Sequence, residues 1–411
     1  KLGLQKTIAS TVLATNTKRT VDPNRRSKMK WMVPINDLDA IQALTIEKII
    51  NNQDNNHWVK GFAGSGKTIV LTHVLERLAT SKPPVKVCFA TFTHALKDLV
   101  ESGLSDNAKS RTTISTFDAL KFLRSNFDLV IADEMQDIKK DTLPFLKAKS
   151  DVFIVAADLD QSIYKFSVTP SELNAAIKPA KEHQLREIHR INENVFDIAT
   201  AVYPEAKIVK QTTVRQDGEQ ARIYEAPSLR EEFITMFEEA VRVSAKGSPS
   251  AVLLPTKKLM DQFLSTIASS ESYSGVLPSV KKATRDDDGS FGVQFKEINA
   301  YLKKNKSPIQ VFGGGGGDLY ETDKRKMILL MTYHSAKGLD FPFVFLPHLT
   351  HSTGLNAFKG GSDLDERRLF FVATTRTRER LYLSYHGEPH RFIEEIPENL
   401  LITYRKPKRS Y

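Results

Sequence analysis

At 411 residues, with 26% charged and 40% apolar side chains, the chain is long enough for two or three domains, each with its own core, and has the make-up of a soluble globular protein. No apolar run approaches the roughly 20 residues that a bilayer span needs, and the N-terminus lacks the layout of a secretory signal; this excludes membrane classes and implies a cytoplasmic location. The net charge of +10 and isoelectric point near 9.3 favour a polyanionic partner, because basic groups gain from releasing counterions off phosphates.

Residues 1 to 30 hold eight basic side chains (Lys1, Lys6, Lys18, Arg19, Arg25, Arg26, Lys28 and Lys30) against Asp22 alone, a local excess of +7. Such a run reads as a solvated basic tail, with a nucleic-acid-touching arm as its rival. The chain opens at Lys1 rather than at a methionine, which leaves open an upstream segment. Short apolar stretches at Val85 to Ala90, Leu129 to Ala132, Val152 to Ala157, Val252 to Leu254, Met327 to Met331, Val344 to Leu346 and Leu381 to Tyr385 read as strands, each followed by a polar turn or a helical pattern. That alternation predicts an α/β fold of parallel sheets covered by helices on both faces. Cys88, the single cysteine, falls inside the first of these strands; it can form no internal disulfide, which fits a reducing compartment. Ser265 to Gly292, with its Asp286, Asp287 and Asp288 cluster, and the five glycines Gly313 to Gly317 read as irregular. A glycine run of that length is a flexible coil reaching about 12 Å, either a natural hinge or an engineered splice.

Residues 61 to 68 read G-F-A-G-S-G-K-T, the full phosphate-loop spacing of Gly61, Gly66, Lys67 and Thr68 with Gly64 and Ser65 inside it. Glycines let backbone N–H groups close around phosphate oxygens, a lysine reaches the β and γ phosphates, and a hydroxyl holds Mg²⁺. Ile69, Val70, Val74, Leu75 and Leu78 then fall near helical spacing, so a helix begins at the turn. The string L-V-I-A-D-E-M-Q-D from Leu129 is an apolar strand ending in two acids. Asp133 is placed to hold the metal and Glu134 to take the proton from an attacking water.

Further strings resemble, in order, the motifs of UvrD/Rep-type superfamily 1 helicases. Gln42 in L-D-A-I-Q resembles the adenine-reading glutamine. A-T-F-T-H at 90 to 94 and S-T-F-D at 115 to 118 are similar to motifs that touch the DNA backbone, with Asp118 where the family usually has histidine. D-E-M-Q-D at 133 to 137 is similar to the metal and base motif. A-A-D-L-D-Q-S-I-Y-K-F at 156 to 166 resembles the motif linking nucleotide to DNA, with Gln161 facing the γ-phosphate and Phe166 in place of a base-stacking tryptophan. L-R-E-I-H-R at 185 to 190 resembles the motif that offers an arginine, Arg190, to the γ-phosphate, with His189 for the tyrosine that packs on adenine. T-Y-H-S-A-K-G-L-D-F at 332 to 341 carries Gly338 and, at the ribose position, Asp340 for glutamate; E-R-R-L-F-F-V-A-T-T-R-T-R at 366 to 378 puts Arg376 on the catalytic arginine.

The resemblance, spanning residues 42 to 378, implies two RecA-like P-loop NTPase domains at 31–186 and 187–411 behind the tail, with a short remnant insertion at about 257–326. It implies ATP and Mg²⁺ as cofactors, with Lys67, Glu134, Gln161, Arg190 and Arg376 catalytic, and Thr68 and Asp133 on the metal. Thr91, Phe92, Thr116, Phe117, Tyr164, Phe166, Thr332 and His334 are expected on a single strand, through polar groups for phosphates and aromatic faces for bases. The expected partner is single-stranded DNA, RNA being left open, along with a nuclease or other protein. Full-length relatives insert a helical subdomain where this chain has only residues 119 to 132, and a larger one where it has only the stretch from Thr256 to Thr332. Two activities stay open: a minimal 3′ to 5′ translocase or helicase, and an ATP-gated switch that recruits or regulates a nuclease without net travel.

Overall fold

The computed structural model describes residues 32–157, 168–206, 213–270, 292–312, 317–355 and 362–405. The basic tail, Gln161, Tyr164, Phe166, the Asp286 to Asp288 cluster and all but the last of the five glycines lie outside the described residues.

The first lobe is built on a parallel sheet of β1 (Asn56–Gly61), β2 (Val87–Thr91), β3 (Thr112–Thr116), β4 (Leu129–Ala132), β5 (Phe153–Ala157) and β6 (Ala180–Leu185), in the order β3-β2-β4-β5-β1-β6. Successive residues of its central strands go to opposite faces, and both faces are covered. Phe89, Ile131 and Ile154 pack with α1 (Ala40–Ile50) and α2 (Lys67–Thr80) through Ile46, Ile49, Val70, Val74 and Leu75. Their neighbours Cys88, Val130 and Val155 pack on the other side with Phe117, Leu120, Leu146 and Leu173. Burial pushes the Cys88 thiol up to about 12, so it is a structural rather than a reactive cysteine.

A two-stranded ribbon, β7 (Glu187–Asn192) with β8 (Thr213–Arg215), leads to the second lobe. There β9 (Ala221–Ala226), β10 (Ser250–Leu254), β11 (Ile309–Val311), β12 (Ile328–Thr332), β13 (Phe341–Leu346), β14 (Thr377–His386) and β15 (Leu401–Thr403) form a parallel sheet ordered β11-β12-β10-β13-β14-β9-β15. One face carries α3 (Glu193–Val202) and α4 (Asp363–Thr374), the other α5 (Leu229–Val243) and α6 (Lys257–Ala268). Both lobes are parallel sheets covered by helices, as the strand and helix alternation predicts, and they fit the two RecA-like domains that the resemblance implies.

The irregular reading of Ser265 onward is corrected: α6 continues to Ala268, because Met260, Phe263, Leu264 and Ile267 repeat at helical spacing and are buried in the second core. That core also takes Phe295, Leu302, Ile309 and Val311, so the described part of the 257–326 stretch belongs to the second lobe's own packing. No helix among the described residues is long and apolar enough to cross a membrane.

Candidate nucleotide site

β1 delivers the chain into the glycine turn, where Gly64 and Gly66 take φ of 82° and 84°, a left-handed backbone that glycine adopts without strain. Close approach is a second requirement: a Cβ on Gly64 would sit 2.6 Å from Arg190 Cβ, and one on Gly66 would sit 2.4 Å from Gln42 Nε2. Ser65 is buried behind the turn. α2 starts at Lys67, whose ammonium donates to Gly61 O at 2.7 Å and Phe62 O at 3.1 Å. Gln42 lies beside the turn, donating through Nε2 to Ser65 O at 3.0 Å, while its Oε1 accepts from Asp39 N at 3.2 Å in the capping box of α1.

At the end of β4, Asp133 is buried and its Oδ2 accepts from Thr68 Oγ1 at 2.6 Å. Burial, and then the neighbouring Glu134 carboxylate, push Asp133 up to about 7. Glu134 follows at φ 54°, a turn that aims its side chain into the cleft, where Gln136 Nε2 donates to its Oε2. Burial pushes Glu134 up, but Lys337, Lys67 and Arg376 outweigh it and hold the carboxyl below its usual range.

The second lobe supplies the facing wall of a cavity of about 300 Å³ lined by Gly64, Gly66, Lys67, Thr68 and Glu134 on one side and Arg190, Gly338, Asp340 and Arg376 on the other. Arg376 is 1% exposed, donating to Val372 O at 2.8 Å, Thr375 Oγ1 at 3.0 Å and Leu339 O at 3.3 Å. Asp340 lies between two guanidiniums, 2.7 Å from Arg190 Nε and 2.6 Å from Arg378 Nη2. Burial opposes its charge, but Arg378 and Arg190 prevail and lower its pKa. Gly338, at φ 82°, lets the second lobe meet Leu96 of the first: a Cβ there would be 2.4 Å from Leu96 Cδ1. His189 completes the Gln42 end, its N–H donating to Gly64 O at 3.0 Å and its Nε2 lying 2.7 Å from Asp39 Oδ2.

The residues expected on a single strand are arranged differently. Thr91, Thr116 and Thr332 do stand at the C-terminal ends of β2, β3 and β12, with Phe92 and His334 half-buried nearby. Thr91 is fully buried, however, and Phe117 is 3% exposed inside the first-lobe core. Thr116 and Thr332 are buried too, the latter with its hydroxyl 2.9 Å from Ser335 Oγ. β2 is an interior strand paired on both sides, which accounts for the burial of Thr91. Asp118 is exposed and paired with Lys139 at 2.8 Å.

Two family models match on either side of the cleft: an AAA domain over residues 42–167 and the UvrD-like helicase C-terminal domain over residues 316–388. The first contains the glycine turn and both acids, and the second contains Gly338, Asp340 and Arg376. Over residues 42–167 the chain is thus similar to an AAA domain, and over residues 316–388 to the C-terminal domain of UvrD-like helicases. Among curated relatives, the ATP-dependent DNA helicase PcrA of Staphylococcus epidermidis is 39% identical over 109 residues, and that of Staphylococcus aureus 38%. The match covers 23% of this chain and only 15% of each relative's length. An arterivirus nonstructural protein 10 helicase, solved with DNA, superposes with a TM-score of 0.40 at 15% identity, covering 84% of this chain and 65% of that one.

Several groups in this cleft are ones that spacing did not single out. Lys337 Nζ reaches Asp137 Oδ2 at 2.6 Å, an ion pair across the lobes with both side chains buried. Arg378 holds Asp340, and Asp39 holds His189. All of them, Asp39 in L-D-A-I-Q included, lie inside the motif strings, which was the available signal.

Proposed function

We propose that the chain hydrolyses ATP with Mg²⁺ and uses the cycle to move 3′ to 5′ along single-stranded DNA in the cytoplasm, its lobes being 31–186 and 187–411. What carries this reading is that one cavity is walled by the phosphate loop and two acids of one lobe and by Arg190 and Arg376 of the other. Thr68 and Asp133 would hold Mg²⁺: their oxygens already touch, and Asp133 is a buried acid whose ionised form needs a cation. When bound, the ion neutralises charge on the β and γ phosphates.

In this reading the backbone of the loop and Lys67 hold the phosphates, and Gln42 and His189 receive the base. Glu134, kept ionised by its cationic neighbours, accepts the proton of the attacking water. Arg190 and Arg376 meet the charge that develops on the transferring phosphoryl group, so lobe closure and hydrolysis are coupled. Asp340 positions Arg190 and offers a carboxylate toward the ribose. Gln161, Tyr164 and Phe166 are proposed for the link to the strand on resemblance alone. Steady-state ATPase assays with and without single-stranded DNA test the proposal: stimulation in the wild type, and loss of turnover with part of the strand affinity kept in Lys67→Ala. Normal turnover in that variant would undo the assignment.

A second reading, a clamp that recruits or regulates a nuclease, is favoured by the direct connection from the short helical turn Phe117–Phe122 to Leu129, which leaves no room for a duplex-contacting subdomain. ATP-dependent displacement of streptavidin from one end of a biotinylated strand supports travel; its absence with intact ATPase supports the clamp.

A further inference from the structure

Away from the nucleotide cleft, three elements of the second lobe converge at the C-terminal edge of its sheet. Glu232, in the first turn of α5, is 0% exposed. His348 follows the end of β13, and His386 ends β14. One ligand atom from each of these three residues lies within 4.8 Å of the other two. Glu232 Oε1 is held by two donors, the His348 backbone N–H at 2.6 Å and Ser384 Oγ at 2.7 Å, which leaves Oε2 facing His386 Nδ1 at 2.7 Å. The two imidazoles stack at 5.2 Å with an interplanar angle of 16°. His348 Nδ1 is sealed from solvent and makes no hydrogen bond.

The backbone adds an independent observation. His348 has φ 68°, a conformation in which glycine fits and a side chain is strained, yet an imidazole stands there. The following Leu349 N–H donates to Ser384 O at 2.9 Å, which fixes the turn that presents the ring. The His348 ring also meets Phe233 edge-on at 6.0 Å, which holds it in place; two imidazoles and a carboxylate with one oxygen pinned are the parts of a metal site with its supporting donors in place.

We propose that Glu232, His348 and His386 form a binding site for a divalent first-row ion of the Zn²⁺ class, separate from the Mg²⁺ site. Two nitrogen donors and one carboxylate suit Zn²⁺, and the partly exposed His386 leaves a side open for water as the remaining ligand. The ion pins α5 to the ends of β13 and β14.

The test uses the full chain, stripped with a chelator and dialysed against Zn²⁺ or Co²⁺ in excess Mg²⁺, with metal content, the Co²⁺ visible spectrum and thermal melting as readouts. The variants are His348→Gly, which suits the left-handed backbone and so keeps the fold, and His386→Gln. The wild type is expected to hold one more ion per chain than either variant, to show intense d–d bands of low coordination number, and to melt higher with Zn²⁺. The variants are expected to bind about 100-fold more weakly or worse, with ATPase unchanged. Equal metal content and equal spectra in the wild type and a folded His348→Gly would overturn the proposal.

Discussion

The two walls of the nucleotide cleft hold their functional groups by different means. On the first-lobe wall the backbone does the holding: Gly64 and Gly66 at φ 82° and 84°, Glu134 at φ 54°, and Thr68 fixed on Asp133 at 2.6 Å. On the second-lobe wall, long guanidiniums are steered by partners, Arg376 by Val372 O and Thr375 Oγ1, Arg190 and Arg378 by Asp340. Donors fixed by the backbone receive phosphate without reorganising, whereas the arginines act only where the lobes meet. In the proposed cycle the first wall governs binding and the second governs when hydrolysis occurs.

Arg376→Ala is the sharpest way to break that division. Loss of an arginine that meets transition-state charge is expected to lower kcat by about 10³-fold or more, with nucleotide affinity nearly unchanged. Lys67→Ala is expected to weaken nucleotide binding as well. Measuring nucleotide Kd by fluorescence titration alongside single-turnover hydrolysis separates the two; an Arg376→Ala protein that loses affinity as much as rate would place both walls in the same role.

The first wall was legible in the sequence because its parts sit on a fixed local spacing: a glycine turn, the helix after it and two adjacent acids need no distant partner to be recognised. β1, by contrast, reads N-H-W-V-K-G and β6 reads A-K-E-H-Q-L, so apolar runs did not reveal them. Their polar residues are tolerated because His57 and His183, 126 residues apart, satisfy each other at 2.8 Å. Asp137 and Lys337 are 200 residues apart, and no spacing rule joins them. Thr91 and Phe117 have the right residue types at strand ends, but exposure is decided by which strands flank them. The Glu232, His348 and His386 cluster drew on three separate elements and gave no local pattern at all.

The Lys337 to Asp137 pair tests how far the walls depend on each other. Lys337→Met leaves a carboxylate buried without this partner, which is expected to cost about 3–5 kcal/mol in urea melts. Asp137→Asn combined with Lys337→Met removes both charges and is expected to recover most of that loss. A double variant as unstable as the single one would mean that packing of the Lys337 stem, rather than the ion pair, joins the lobes.

The smallest expected effect lies far from the cleft, at the β1 to β6 edge. Burial, with the adjoining His57 ring next, pushes the His183 imidazole from its ordinary 6.5 down to about 4. The folded protein therefore resists protonation between those values while the unfolded chain takes up the proton, so the unfolded state binds more protons across that window. Stability from this group is complete above pH 6.5 and is lost as the pH falls toward 4, by at most about 3 kcal/mol. His183→Gln keeps an N–H donor for His57 Nδ1, whose other ring nitrogen donates to Asn52 O, but does not titrate. Its melting temperature is expected to fall less than that of the wild type on going from neutral to acidic buffer, while buried histidines that do not touch His183 cancel in the difference. Parallel pH profiles would show that the pair does not carry the acid sensitivity of the first lobe.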